Sequence, residues 1–260
     1  MTEETAIDRA HAAMEAAPED DAARLRFWER VADAELNLLL EREIEADSVE
    51  PRLFEIEGVS YALAFDRADR LTGFTGQASA YAELSGRALA QMMAGQGIGL
   101  GLNIEVAPSA MLIPPDAVEW LAATLGEGPA EAEGRIEEVR APAALPEVLL
   151  GALDQKLATA AGLARTAWLA QVGYAGGGQG TLLAFVDAAP GAERALAGAV
   201  REALVFSGVE AGALDVAFFA GEDPVAAAIA RHGVRIDLPE LQRSERRAPG
   251  SDPVRPPKLR

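Results

Sequence analysis

Positions 126–134, GEGPAEAEG, carry Gly, Pro and Glu and no large apolar side chain. A stretch of that composition cannot recover the entropy of ordering by burial, so it reads as a solvated linker. It divides the 260 residues into two blocks, each too short for a large single domain and each patterned with its own short helices and strands. The expected organisation is an N-terminal α/β domain over 1–126, a linker over 127–134, a C-terminal α+β domain over 135–239, and a separate tail over 240–260. The fold class is α+β (mixed α/β), with two small domains.

In the first block, DDAARLRFWERVA from Asp20 places Leu25, Phe27, Trp28, Val31 and Ala32 on a broad apolar helical face, with Asp20 and Asp21 at its N-terminus. Leu36, Leu38 and Leu40 then alternate with polar residues, which is the period of a half-buried strand. Strands over 53–56 and 59–65 flank Glu57-Gly58 as a hairpin. Asp66 ends the second of these strands and is placed to cap the next segment. A small-residue region over 73–86 and a short helix over 87–93 lead into GQGIGLGLNIEV. There Ile98, Leu100, Leu102, Ile104 and Val106 alternate with Gly97, Gly99, Gly101, Asn103 and Glu105. The pattern predicts a strand with one branched apolar face and one face of nearly bare backbone. A helix from Pro115 comes next, with Val118, Leu121, Ala122 and Leu125 inward and Gly126 as its stop.

The second block reads as a weak strand over 135–140, a helix with Leu149, Leu150, Leu153 and Leu157 on one side, and a strand through Trp168, Ala170, Val172 and Tyr174. The loop AGGGQG connects it to a strand over 181–187, a helix with Leu196, Val200 and Leu204, and a strand over 214–219. This is the β-α-β-β-α-β order of a ferredoxin-like split unit. An extra helix comes after it, with Asp223 as N-cap, Pro224 at its first position and Gly233 after its end, and a further strand begins at Val234.

Composition excludes several chemistries. There is no Cys, which removes disulfides, thiolate metal sites and cysteine nucleophiles. The only imidazoles are His11, in an Ala-rich segment expected to be exposed, and His232, at a helix end where a cation meets the last carbonyls. The acidic run Glu41, Glu43, Glu45 and Asp47 lacks the Gly-punctuated spacing of a Ca²⁺ loop and reads as solvated surface. No metal and no cofactor are expected. A net charge of −18 repels phosphate backbones, so no nucleic-acid partner is expected. The charge is uneven: residues 1–57 hold 17 Asp/Glu against 6 Arg, a net of −11, whereas 241–260 hold 6 Arg/Lys against 2 Asp/Glu, a net of +4. With four prolines and few apolar side chains, that tail is expected to be disordered and basic. No signal-peptide pattern and no apolar run of spanning length occur, so no membrane association and a cytoplasmic location are expected.

The two glycine clusters are weak motifs. Gly95 to Gly101 lie within a strand that comes after a helix, the reverse of the dinucleotide fingerprint. Gly176 to Gly180 lack the Lys-Ser/Thr of a phosphate loop and suit a flexible hairpin. Ala184-Phe185-Val186 matches the middle of an RNA-recognition motif, but Thr181, Leu183 and Ala188 occupy its basic and aromatic positions.

Three stretches of the first block, FWERVADAELNLLLE, YALAFDRADRL and GIGLGLNIEVAPS, resemble the SseB family in that order. So do ALDQKLATAAGLARTAWLAQVGY and TLLAFVD in the second. The likeness covers residues 12–238. One position departs: where the family carries Pro and Gly after the Asn, Asn103 is followed by Ile104 and Glu105. The family is named for a serine-sensitivity phenotype and has no agreed biochemical activity. The resemblance implies a two-domain protein linked to serine sensitivity.

With no nucleophile, metal or cofactor signature, the expectation is a non-catalytic interaction or regulatory protein with a protein partner or small ligand, the alternative being a metabolite sensor or carboxylate-based enzyme. The candidate ligand or partner surface comprises Phe65, Asp66, Gly99, Gly101, Asn103 and Glu105, where the bare strand face ends in polar groups. Brief proteolysis is expected to cut first within 126–134 and after Glu240. One resistant fragment spanning both blocks, seen by mass spectrometry with no cut at the linker, would contradict this.

Overall fold

The computed structural model of the chain describes residues 4–43, 49–128, 134–142, 145–209 and 214–239. The linker residues 129–133, the tail 240–260, and Glu45 and Asp47 of the acidic run lie outside them. The fold is mixed α+β with two mixed sheets. The compact units are Met1–Gly134 with Ala144–Leu153 and Ala197–Leu214, and Arg135–Ala143 with Asp154–Leu196 and Asp215–Arg260. They are therefore not contiguous in sequence, and the 197–214 stretch supplies Phe206, fully buried, to the first core.

The first unit opens with a helix that the sequence pattern does not announce, α1 (Ala6–Ala16), followed by α2 (Asp21–Asp33). Only Ile7 and Met14 are large apolar side chains buried from α1, so its periodicity is faint. Its start is nonetheless encoded: Thr5 and Asp8 form a capping box, each side chain bonding the other's backbone N–H. His11, expected to be exposed, is half-buried, with its ring edge-on to Phe27 at 5.7 Å.

The strands are β1 (Glu35–Leu39), β2 (Leu53–Ile56) and β3 (Val59–Phe65), then β4 (Tyr81–Ser85), β5 (Ile98–Leu102) and β6 (Met111–Ile113). Their order across the sheet is β4-β1-β3-β5-β6, with β2 also paired to β3. The β2–β3 hairpin turns at Glu57 and Gly58, both at positive φ as the tight two-residue turn requires. The helices α3 (Ala68–Thr75), α4 (Gly86–Met93) and α5 (Pro115–Gly126) make up the connections. The region of small residues over 73–86 thus holds the end of α3 and all of β4. One sheet face is the main core, where Leu36, Leu38, Leu100 and Leu102 are almost fully buried beside Ala62, Ala64, Phe27 and Leu89. Each such leucine contributes about 1.5–3 kcal/mol. The four inward residues expected of α5 are all buried. The opposite face carries a smaller cluster of Leu39, Leu63, Phe65 and Leu71.

The glycine-rich strand is shorter than its alternation suggests. β5 ends at Leu102, and Asn103 and Glu105 turn the chain at φ 49 and 62. The turn swings Ile104 and Val106 away from Leu100 and Leu102, onto the smaller cluster on the other face. A strict alternation over nine positions is thereby broken by backbone conformation, which periodicity cannot register.

In the second unit, β7 (Ile136–Arg140), β8 (Thr166–Tyr174), β9 (Gln179–Val186), β10 (Asp215–Phe219) and β11 (Val234–Ile236) form one sheet in the order β10-β9-β8-β11, with β7 also on β8. Of the helices in this half of the chain, α8 (Pro224–His232) falls wholly in this unit, whereas α6 (Glu147–Ala158) and α7 (Glu193–Phe206) are divided, with residues 147–153 and 197–206 in the first unit. The element order is β-α-β-β-α-β with the added helix and strand. The pairing departs from the ferredoxin-like arrangement: β7 lies antiparallel beside β8, and β10 lies parallel beside β9. Of the four α6 leucines expected inward, Leu149, Leu153 and Leu157 are buried and Leu150 is 41 % exposed. The β8–β9 hairpin turns at Gly176 and Gly177, both at positive φ. Asp223 caps α8 by accepting from Val225 N at 2.7 Å. Phe185 is fully buried and stacked on Phe218, 5.6 Å away, so it presents no face to a base.

Two glycines permit approaches that no side chain would. A Cβ on Gly86 would lie 1.8 Å from the Val31 carbonyl oxygen, where α4 starts against the end of α2. A Cβ on Gly99 would lie 2.5 Å from the Tyr61 ring and 2.7 Å from the Ile113 carbonyl oxygen. Both contacts include backbone, which cannot rotate away. Gly86→Ala and Gly99→Leu are each expected to destabilise by about 1–3 kcal/mol or more, read as a lowered urea midpoint; unchanged midpoints would contradict the packing described.

Candidate functional site

The parallel strands β3 and β5 end side by side, and at those ends the chain buries a set of polar side chains. Asp66 comes directly after β3 and Asn103 directly after β5. The Asp66 N–H donates to Asn103 Oδ1 at 3.1 Å, and Asn103 Nδ2 donates to Ser109 Oγ at 3.0 Å. Ser109 donates in turn to Asp8 Oδ1 at 2.6 Å. Arg70, one turn into α3, reaches both carboxylates. Its Nη1 donates to Asp8 Oδ1 at 3.1 Å and to Asp66 Oδ1 at 2.9 Å, and its Nη2 donates to Asp8 Oδ2. Thr5, the cap of α1, donates its hydroxyl to Asp66 Oδ2 at 2.6 Å. On the neighbouring strand, Asn37 Nδ2 donates to the Phe65 carbonyl at 3.0 Å.

The side chains of Arg70, Asp8 and Asp66 are each 4 % exposed or less, and Asn103 and Ser109 are fully buried. Two carboxylates thus share one guanidinium away from water. Burial pushes the Asp8 carboxyl up, but the hydrogen bonds from Arg70, Ser109 and the Thr5 backbone outweigh it and hold Asp8 well below the ordinary carboxylate range. Burial alone would lower Arg70; its bonds to Asp8 and the charge of Asp66 raise it instead, so the ion pair is fully charged near neutrality. Arg70 Nε is a buried donor with no hydrogen-bond partner among the described residues.

The six residues expected to form one surface are separated by this arrangement. Asp66 and Asn103 come together and are hydrogen-bonded. Phe65 is buried in the smaller apolar cluster, its ring 5.4 Å from that of Phe74. Gly99 and Gly101 are buried, and what covers them is the side chains of Tyr61 and Leu63 leaning from the parallel neighbour β3. Glu105 is exposed on the turn beyond. Asp66 does not cap α3, whose N-cap is Arg67 without a side-chain bond. Asp8, Arg70, Ser109 and Thr5 escaped sequence reasoning because they are far apart in the chain; the Thr5-x-x-Asp8 box was the one local signal.

A second feature lies in the second unit, at the carboxyl ends of its parallel pair β9 and β10. Asp187, directly after β9, sits at φ 51 and accepts from Gly221 N at 2.7 Å, and Arg165 pairs with it at 3.0 Å. Beside them a cleft of about 430 Å³ opens between Trp168 and the small residues Ala226 and Ala230 of α8, with Arg235 at its rim. The alanines leave this space because a methyl cannot fill the gap between helix and sheet.

Among the described residues no group of three or more His, Cys, Asp or Glu is placed to hold a metal ion. No helix among them is long and apolar enough to cross a membrane. Comparison with family models, with curated proteins and with solved structures gives no match to this chain.

Removing Arg70 leaves two buried carboxylates uncompensated, so Arg70→Met is expected to destabilise by about 3–5 kcal/mol, with Asp8→Asn in the same background restoring part of the loss. Because the folded-state pKa of Asp8 is depressed, its contribution is present above the unfolded value near pH 4 and is lost as pH falls through the lower folded value. Denaturant titrations from pH 7 downward check this: the acid-side loss of stability should be smaller in Asp8→Asn.

Proposed function

We propose that this chain is an SseB-like protein that acts without catalysis, as an interaction or regulatory protein linked to serine sensitivity. The observation that carries the resemblance is convergence. The stretches 27–41, 61–71 and 97–109 supply Asn37, Asp66 and Arg70, and Asn103 and Ser109, to one buried network. The turn that the family closes with Gly is here occupied by Glu105 at φ 62, a conformation natural to glycine. The non-catalytic reading is supported by the use of these groups. A carboxyl held far below its ordinary range and screened from solvent is a poor proton carrier near neutrality, and its hydrogen bonds are spent on capping α1 at Thr5 and tying that helix to Arg70 of α3 and to Ser109. Side chains available to a partner include the half-exposed Leu53, Tyr81, Leu112 and Trp120 of the first unit.

The cleft beside Trp168 favours a second reading, a small-ligand sensor. It is open to solvent and brings Trp168 together with the Arg165–Asp187 ion pair. One set of measurements separates the two. Photo-crosslinking of the full chain in its native cell is expected to give discrete adducts with a protein, and incubation with a panel of amino acids and other metabolites is expected to give no turnover by NMR. Catalytic consumption of a metabolite would overturn the non-catalytic reading. A saturable rise in melting temperature that disappears in Ala230→Leu, whose exposed side chain would project into the cleft, would favour the sensor.

A further inference from the structure

The strand β4 stands at one end of the first sheet, and the direction of its backbone groups is set by its pairing with β1. The bonds Gly86 N to Ala34 O and Leu40 N to Ala80 O fix the hydrogen-bonded pairs as those of even-numbered residues, 82 with 38 and 84 with 36. The N–H and C=O groups of Tyr81 and Glu83, and the N–H of Ser85, therefore point away from β1. No strand among the described residues pairs with that side. The side chains of these same residues lie together on one face and are exposed, Tyr81 by 42 %. Glu35, opposite Ser85 on β1, shares that face and is also exposed.

Other edges are less suited. β6 and β11 have three residues each and β2 has four, β7 pairs with β8 across a register shift, and every residue of β10 is at least partly covered. β4 offers five regular residues, no proline, no bulge and a fixed end at Ser85, whose hydroxyl accepts from Ala88 N to cap α4. An open edge of this kind is a template for another strand. Its charge selects which one. In the fully overlapped antiparallel register, a second copy of β4 would set Glu83 against its own counterpart, and like charges directly opposite are destabilising. A strand with Lys or Arg at alternate positions would set a cation against Glu83 instead, with Glu35 one strand further across the same face.

We infer that β4 is a docking edge for an extended basic peptide segment, added to the sheet through the backbone groups of Tyr81, Glu83 and Ser85 and selected by Glu83, with Glu35 adding negative charge to the same face; this rests on the interaction reading above and names its partner class. The probe is a ten-residue peptide alternating Thr and Lys, titrated by fluorescence anisotropy into the full chain at low salt. Binding is expected to weaken about tenfold when alternate peptide amides are N-methylated and by a similar factor in Glu83→Lys. That variant should gain affinity for the matching Thr-Glu peptide while keeping the parent melting temperature. Equal binding of the N-methylated peptide, indifference to Glu83→Lys, or no binding at all would each overturn the edge. None of these bears on the interaction reading, which falls instead with metabolite turnover.

Discussion

The structure of the first unit depends on Arg70 being held between Asp8 and Asp66. A guanidinium and two carboxylates are stable away from water only when nearly every donor and acceptor is used, and here the bonds come from four separate places in the chain. α1 supplies Asp8 and its cap Thr5, the end of β3 supplies Asp66, α3 supplies Arg70, and the turn after β5 supplies Asn103 and Ser109. Misplacing any one of them strands a buried charge. The network therefore acts as a register pin: it sets the entry of α1, the start of α3 and the left-handed turn at Asn103 together.

A related device recurs in the second unit. There Asp187, a non-glycine residue at positive φ after one parallel strand, accepts from the backbone N–H of Gly221 after the other, as Asn103 accepts from Asp66 in the first unit. In both, a short polar side chain ties off the ends of a parallel pair, where the ladder leaves N–H groups without a partner. What differs is the cover. In the first unit α1 and Arg70 close over the knot. In the second the knot opens onto a cleft beside Trp168 because α8 presents alanines there.

The bare backbone of β5 serves the same economy of space. Parallel pairing sets Gly99 against Tyr61 and Gly101 against Leu63, and the larger side chains of β3 lie over the smaller residues of β5. The polar and glycine-rich features that stand out in the first block thus serve to build a closed core. The edge and exposed face of β4 remain open, and they carry no motif at all.

Much of the architecture is legible in the residues. The inner face of α5, the β2–β3 hairpin and the caps of α8 come from periodicity and turn chemistry, because each is set by neighbours within a few positions. α1, α3, β4 and β6 were not legible, since short helices with few large apolar residues and strands of three to five residues carry too little pattern. Asp66 and Asn103 could be nominated as a polar terminus of the sheet; their joining to Asp8, Arg70 and Ser109 could not. Those residues are separated by up to about a hundred positions, and only the parallel crossover from β3 to β5 and the fold-back of α1 bring them together. The pairing of β7 with β8, against the expectation from element order, has the same origin. Strand order along the chain is a local property, whereas strand order across a sheet is decided by which faces can be buried at once.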